Sequence, residues 1–186
     1  MGEAAYGQLI VMRLNQDNAC QLWMPIASDT LYSRRYYQSG GGWQPWRPLF
    51  SRHNLVGAVS QTAGVPTGRV VERGSNANGE YVRFADGTQI CTAYLNLPFA
   101  AGAYVGVVWS FPAVFAVGST PTVCVATDSS AWTNVPAGLA RGDGAPMVGN
   151  VSNALAVPQW HRRTGAPDFV AGNTIGVHAQ ATGRWF

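Results

Sequence analysis

Apolar and polar residues alternate between residues 79 and 93, where the chain reads GEYVRFADGTQICTA. Val82 and Phe84 share one side of the first half, and an isoleucine falls in step with two threonines in the second half. Because successive side chains of a strand point to opposite faces, this pattern predicts two strands with one apolar and one mixed face. Asp86-Gly87 between them is typical of a type I′ turn. We therefore predict a β-hairpin that begins a packed sheet.

Shorter runs of the same kind recur along the chain without a helical period. They occupy residues 6–14, 19–25, 31–37, 107–115, 121–127, 154–157 and 174–181. Strands at short spacing with turns between them predict an antiparallel sandwich rather than alternating strands and helices. The prediction is an all-β chain with a small N-terminal β module over residues 1–52 and a C-terminal antiparallel β-sandwich over residues 79–186. Residues 128–149, rich in Gly, Ser, Ala and Pro, are predicted to be a long loop.

Residues 53–78 have a different character, because they consist mainly of small residues and valines. This composition predicts an extended linker or a stalk. Its apolar residues favour three copies that wrap around one axis, each burying what the others expose, and hence a homotrimer. His53 at its entrance would line that axis. A ring of histidines can bind a metal, whereas a lone histidine is more often solvated, so this question stays open.

Composition and charge restrict the kinds of molecule that the chain is expected to bind. The chain of 186 residues is 47% hydrophobic but only 11% charged, against roughly 25% in an ordinary soluble domain. All twelve basic residues are arginines, and the net charge is +3. The arginines are scattered rather than arranged in a basic stripe, so we expect no nucleic-acid partner.

The three cysteines and the N-terminus suggest an intracellular origin without membrane insertion. Cys20, Cys91 and Cys124 are odd in number and far apart, so neither a disulfide framework nor a zinc site is expected. No run approaches the ~20 apolar residues of a membrane span, and no signal peptide is recognisable. We expect synthesis in a reducing cytoplasm and no cofactor.

The segments LYSRRYYQSGGGW and WQPWRPLF combine a Tyr/Arg strand, a glycine turn and paired tryptophans with an arginine. This combination resembles the small knob domains of phage and pyocin tail fibres. A purely structural interpretation is also available, in which Trp43 and Trp46 form the core of a small sheet with Arg34 or Arg47 stacked on a ring.

The C-terminal part carries GEYVRFADGTQICT, the run WSFPAVF followed by PTVCVA, and the ending ATGRWF. Together these segments resemble the C-terminal receptor-binding domains of phage tail fibres and head spikes, and the Phe-Pro pattern is similar to the trimeric H-type lectin sandwich. The resemblance implies a homotrimer on the surface of a virion or phage-like particle, with other fibre, tail or capsid proteins as partners. It also implies a bacterial surface polysaccharide as receptor and no catalysis.

Sugar binding needs an aromatic face for the apolar side of a ring and planar polar groups for its hydroxyls. Residues of both types fall on segments predicted to lie at the ends of the sheets. The predicted ligand-binding residues are Asp128, Trp132, Asp143, Trp160, His161, Arg162 and Arg163. The alternative for the cluster at 160–163 is that Trp160 packs against a neighbouring subunit and the arginine pair is solvated.

The sequence contains no recognisable enzyme motif. The serines lack a G-x-S-x-G elbow, and the histidines have no acidic residue at a spacing typical of a catalytic pair. We therefore expect no catalytic residue. Glycan cleavage needs a pair of carboxylates, and Asp128 with Asp143 keeps a polysaccharide depolymerase tip as an alternative. A purely structural fibre segment is the third interpretation.

The trimer can be tested directly. Purified protein should have three times the chain mass by light scattering, because apolar side chains in the predicted stalk need two further copies to cover them. A monomer at micromolar concentration would contradict this prediction.

Overall fold

The computed structural model describes residues 6–135 and 144–186. The chain divides between Gly57 and Ala58 into two compact units. The described residues form antiparallel sheets and contain no α-helix, so the expectation of an all-β antiparallel fold is confirmed for them. Among these residues there is also no helix with the length and apolar character needed to span a membrane.

The first unit contains one antiparallel sheet. Its strands are β1 (Gly7–Arg13), β2 (Asn18–Pro25), β3 (Tyr32–Tyr37), β4 (Gly42–Trp43) and β5 (Arg47–Pro48). The order across the sheet is β1-β2-β3-β4, and β5 also pairs with β3. The first three strands coincide, within a residue at each end, with the alternating runs at 6–14, 19–25 and 31–37.

Arg34 on β3 holds the paired tryptophans of this unit. Its guanidinium carbon lies 4.5 Å from the ring centroid of Trp43 and 4.3 Å from that of Trp46. Its Nε donates a 2.7 Å hydrogen bond to Oε1 of the buried Gln21 on β2. Cation–π contacts with two rings and a side-chain hydrogen bond therefore tie the strands to the segment that follows them. Of the two arginines considered from the sequence, Arg34 makes the stack.

The second unit contains the remaining strands. They are β6 (Gln61–Thr62), β7 (Val65–Pro66), β8 (Val71–Asn76), β9 (Gly79–Phe84), β10 (Thr88–Ala101), β11 (Tyr104–Gly106), β12 (Trp109–Ser110), β13 (Thr122–Thr133), β14 (Gly144–Gly149), β15 (Leu155–Arg162) and β16 (Thr174–Arg184).

Two sheet layers enclose the core of this unit. The first sheet has the order β8-β9-β10-β16-β13. In the second sheet β15 pairs with β11, β12 and β14, and β11 pairs with the last residues of β10. Buried side chains from both sheets form two apolar clusters. Strand β10 thus belongs to both layers and joins them.

The predicted hairpin is present as β9 and β10, but its turn is not of type I′. Gly87 donates a 3.0 Å backbone hydrogen bond to the Phe84 carbonyl and has a φ of 95°, whereas Asp86 is not among the described residues with positive φ. Ala85 to Gly87 therefore form a three-residue loop, a type I turn followed by a left-handed glycine. The Asp86 carboxylate accepts the Thr88 N–H at 2.8 Å, and this bond lowers the pKa of Asp86.

The face of the hairpin that meets the core is the mixed one. Gln89 and Cys91 are fully buried, whereas Val82 and Ile90 are only partly covered on the opposite face. Burial of Gln89 is tolerated because its amide is satisfied: Nε2 donates to the Ala113 carbonyl at 2.7 Å, and Oε1 accepts from Arg83 Nε at 2.7 Å. The apolar face predicted from alternation is therefore the outer face of the sheet.

Six residues near the end of the predicted linker 53–78 form a strand of this sheet. Strand β8 pairs with β9 from Val71↔Phe84 to Asn76↔Gly79. Glu72 on β8 adds side-chain bonds, because it accepts the Tyr81 hydroxyl at 2.9 Å and the Val59 N–H at 2.9 Å. The first of these bonds raises the pKa of Tyr81. The strand that pairs with β8 is β9, which begins at Gly79, just beyond the predicted end of the linker. The composition of residues 53–78 alone therefore indicated a linker.

The predicted loop 128–149 is also partly strand. Strand β13 continues to Thr133 across an irregularity between Asp128 and Trp132, and β14 begins at Gly144. Proline has no N–H to donate to a second neighbouring strand. Pro146 is compatible with β14 because, among the described strands, β14 pairs only with β15. Residues 136–143 lie outside the described part.

The Arg34 stack can be tested by an Arg34→Lys substitution. It should lower the free energy of unfolding of the first unit by about 1–2 kcal/mol, because lysine keeps the charge but loses the planar surface and the Nε donor. Denaturant unfolding followed by tryptophan fluorescence measures the change. Arg35→Lys on the same strand is the matched control, and an equal loss in both variants would contradict the assignment.

Candidate functional site

The structure distributes the predicted ligand-binding residues that it describes over four places in the second unit. Trp160 lies in the core and the partly buried Trp132 packs against it. Arg162 is the last residue of β15 and Arg163 follows it, whereas His161 lies on the outer face of the second sheet. Asp128 lies on the first sheet. Asp143 is outside the described residues.

The two tryptophans pack against each other. Their ring centroids are 5.6 Å apart at an interplanar angle of 66°, and Trp160 is only 7% exposed. Leu97, Phe169 and Val177 belong to the same cluster. The indole N–H of Trp132 is buried without an acceptor in the described part of the chain. In this position Trp160 supports the strand that carries His161 and offers little surface of its own.

Arg162 fastens the end of β15 to two neighbouring segments. Its Nε donates to the Gly102 carbonyl at 3.1 Å, and Nη1 donates to the Ala166 carbonyl at 2.8 Å. Nη2 forms an ion pair with the Asp168 carboxylate. Because most of its donors are engaged, Arg162 acts here mainly as a structural clamp. The exposed Arg163 accepts a 3.4 Å bond from Arg162 Nη1 at its carbonyl.

His161, Tyr104 and Gln159 form a row on the outer face of the second sheet, which we call the platform. Strand pairing places Tyr104 opposite His161, and their rings stack with centroids 4.9 Å apart and planes 12° from parallel. His161 Nε2 lies 2.9 Å from Gln159 Oε1 and donates to it. Gly106 leaves room for this arrangement, because a Cβ there would lie 2.9 Å from Gln159 Cγ.

The platform has the groups that a hydroxyl-rich ring requires. The stacked rings offer an aromatic surface, and the Gln159 amide nitrogen donates to no acceptor in the described residues. The exposed Met147 on β14 lies opposite Gln159. An aromatic surface beside a planar amide can hold the apolar face of a sugar while bonding its hydroxyls.

Asp128 does not join the platform. Its carboxylate Oδ1 accepts from Ser130 Oγ at 2.6 Å and from Ser130 N at 3.0 Å, and these bonds lower the pKa of Asp128. The residue lies on β13 of the first sheet, whereas the platform belongs to the second. Within the described residues, no group of three or more His, Cys, Asp and Glu is arranged to hold a metal ion.

Sequence reasoning found His161 but missed Tyr104 and Gln159. Tyr104 lies in a Gly/Ala-rich stretch outside the alternating runs, although it is part of β11. Gln159 lies between Pro158 and Trp160, which are both buried. Because side chains alternate along a strand, this position could have placed Gln159 on the outer face beside His161.

Comparison with known proteins gives a limited result. No protein-family model and no curated protein matches the chain. A C-terminal portion of the R2 pyocin fibre of P. aeruginosa matches with a TM-score of 0.36 and 15% identity, over 96% of this chain and 56% of that chain. An N-truncated R2-type pyocin tail fibre matches with a TM-score of 0.34 and 14% identity, over 96% of this chain and 82% of that chain. The chain thus spans little more than half of the first fibre portion, and TM-scores this low carry no functional conclusion.

The clamp function of Arg162 predicts a rank order of stabilities. Arg162→Lys should lower the free energy of unfolding of the second unit by about 1–3 kcal/mol, because the carbonyls of Gly102 and Ala166 lose their donor. Asp168→Asn should cost less than about 1 kcal/mol, since Asp168 is 64% exposed and only the ion pair is lost. Denaturant unfolding of the two variants measures the order, and the reverse order would show that the ion pair is the main contribution.

Proposed function

We propose that the chain is the receptor-binding tip of a fibre or spike on a phage or phage-like particle and attaches without catalysis to a bacterial surface glycan, either capsule or lipopolysaccharide. The observation that carries this proposal is the platform, in which Tyr104, His161 and Gln159 present a fixed aromatic and amide surface. The sequence resemblance to receptor-binding domains of tail fibres and head spikes supports the same role.

A homotrimer is part of the proposal. Strand β1 is an edge strand that exposes four consecutive apolar side chains, Leu9 to Met12. Such an edge favours association with further chains. Three copies would present three platforms on one particle, and weak sugar sites become effective when several bind together. We place the protein on the surface of the particle, assembled in the bacterial cytoplasm with other fibre, tail or capsid proteins.

A polysaccharide depolymerase is the alternative with a specific chemical requirement. Glycosidases use two carboxyl groups about 5 to 9.5 Å apart, of which the general acid has a raised pKa. The pKa of Asp128 is lowered by its bonds to Ser130, which disfavours it as the acid. This alternative would release soluble sugar fragments from host capsule, and Asp143→Asn would abolish the release. A purely structural segment would tolerate changes to the platform without loss of adsorption.

The attachment hypothesis is tested by Tyr104→Ala. The variant should adsorb about tenfold more weakly to host cells, equivalent to about 1.4 kcal/mol, because the aromatic contact is lost. His161→Ala should act in the same direction. The measurement is a binding titration of purified protein on host cells.

Two controls show whether a loss of binding comes from the aromatic ring of Tyr104. Tyr104→Phe keeps the aromatic surface and should bind nearly as the wild type does. Light scattering and thermal unfolding should be the same for all variants, so that a loss of binding is not a loss of folding. Unchanged adsorption of Tyr104→Ala and His161→Ala would remove the platform from the receptor site.

A further inference from the structure

The outer face of the first sheet contains a concave surface of about 550 Å³ that is separate from the platform. It lies over β10, β16 and β13. The side chains that define it, which we call the saddle, are Glu80, Thr92, Tyr94, Cys124, His178 and Gln180. Its volume is within the range of about 300–1,000 Å³ found for small-molecule sites.

Tyr94 is the fixed aromatic group of the saddle. Its ring meets that of His178 edge to face, with centroids 5.1 Å apart and planes at 66°. A Cβ on the buried Gly176 would overlap the Tyr94 hydroxyl, so the ring extends over this glycine. Tyr94 is nevertheless 47% exposed. The ring is therefore held in one position while part of its surface remains free, which lowers the entropy cost of binding.

Polar groups surround this ring because of the strand register. Thr92, Gln180 and Cys124 form one row across the three strands, and Tyr94, His178 and Ala126 form the next. Glu80 on β9 lies opposite Thr92. Gln180 Nε2 donates to Thr182 at 3.3 Å, which leaves its amide oxygen as an acceptor. A hydroxyl, an amide and a carboxylate thus face the same space as the ring.

The charge of the saddle restricts its ligand. The protein has twelve arginines and a net charge of +3, yet the described residues that line the saddle include a glutamate and no arginine. A carboxylate in a lining that contains no arginine repels anionic sugars and accepts hydrogen bonds from hydroxyls. Interfaces between protein chains have cores depleted in charged residues, which disfavours a second copy as the occupant.

We propose that the saddle is a second saccharide site, specific for neutral sugars and selective against acidic ones. The apolar face of a sugar ring stacks on Tyr94, and its hydroxyls bond to Glu80, Thr92 and Gln180. The site shares no residue with the platform and lies on the other sheet, so each can be tested without the other.

Cys124 offers a direct reporter, because it is an exposed thiol in the saddle. Cys91 is buried, and burial raises the pKa of its thiol, so it should react slowly. A Cys20→Ser background leaves Cys124 as the reactive group. The experiment measures the rate of thiol labelling of the full chain with and without glucose, galactose, mannose or N-acetylglucosamine. Glucuronate and galacturonate are the matched acidic probes.

The expected result is rapid labelling without sugar and protection by at least one neutral sugar. Labelling should slow about tenfold when the sugar is about tenfold above its dissociation constant, because only the free fraction then reacts. The acidic counterpart should protect less. Tyr94→Ala should abolish protection, and Gly176→Ala should weaken it by displacing the ring. Tyr104→Ala should leave it unchanged, which separates the saddle from the platform.

Three outcomes would overturn the proposal. The first is that no neutral sugar protects Cys124, and the second is that the acidic sugars protect equally well. The third is that Cys124 is unreactive in the purified protein and becomes reactive on dilution, which would show that another copy of the chain covers the saddle. Circular dichroism and thermal unfolding of each variant ensure that a change in labelling rate reflects the saddle rather than unfolding.

Discussion

The architecture of the second unit depends on the backbone hydrogen bonds of one long strand. Strand β10 pairs with β16 from Thr88 to Pro98, with β9 near its start, and with β11 at its end. Both sheets are therefore anchored to the same strand, and the alternation of its side chains sets which residues face the core. Leu97 is buried while Tyr94 is directed outward. The positions of the platform and the saddle therefore depend on how β10 pairs with its neighbours.

Much of this arrangement could be predicted from the sequence, because alternation is a local property. The first three strands of the first unit and the hairpin at Asp86-Gly87 are predicted by it. The buried face of the hairpin was not, because the partners that satisfy Gln89 include the Ala113 carbonyl, which lies 24 residues further along the chain. Strand β8 was not predicted for the same reason, since its sequence VERGSN has no alternation of apolar and polar residues and becomes a strand by pairing with β9.

The candidate sites show the same division between local and distant information. Aromatic and charged residues at 160–163 suggested a surface site, yet Trp160 is buried because it shares a phase with Ala156 and Pro158. His161 has the opposite phase and reaches the surface. Its partner Tyr104 could not be linked to it from the sequence, because the register between β11 and β15 depends on the course of β10. Tyr94 and His178 are similarly 84 residues apart and meet only through β16.

Two of the glycines have a direct role in the platform and the saddle. Glycine inside a strand costs stability, since it loses more conformational freedom on folding and packs no side chain. Gly106 and Gly176 both lie within strands, and in each case the missing Cβ is the space used by Gln159 or by Tyr94. A side chain that lies across a neighbouring glycine is fixed close to the sheet, whereas over a larger residue it would extend into solvent and move freely. The cost of these two glycines is therefore offset by two side chains that lie close to the sheet, and groups held in this way lose less freedom when they bind a ligand.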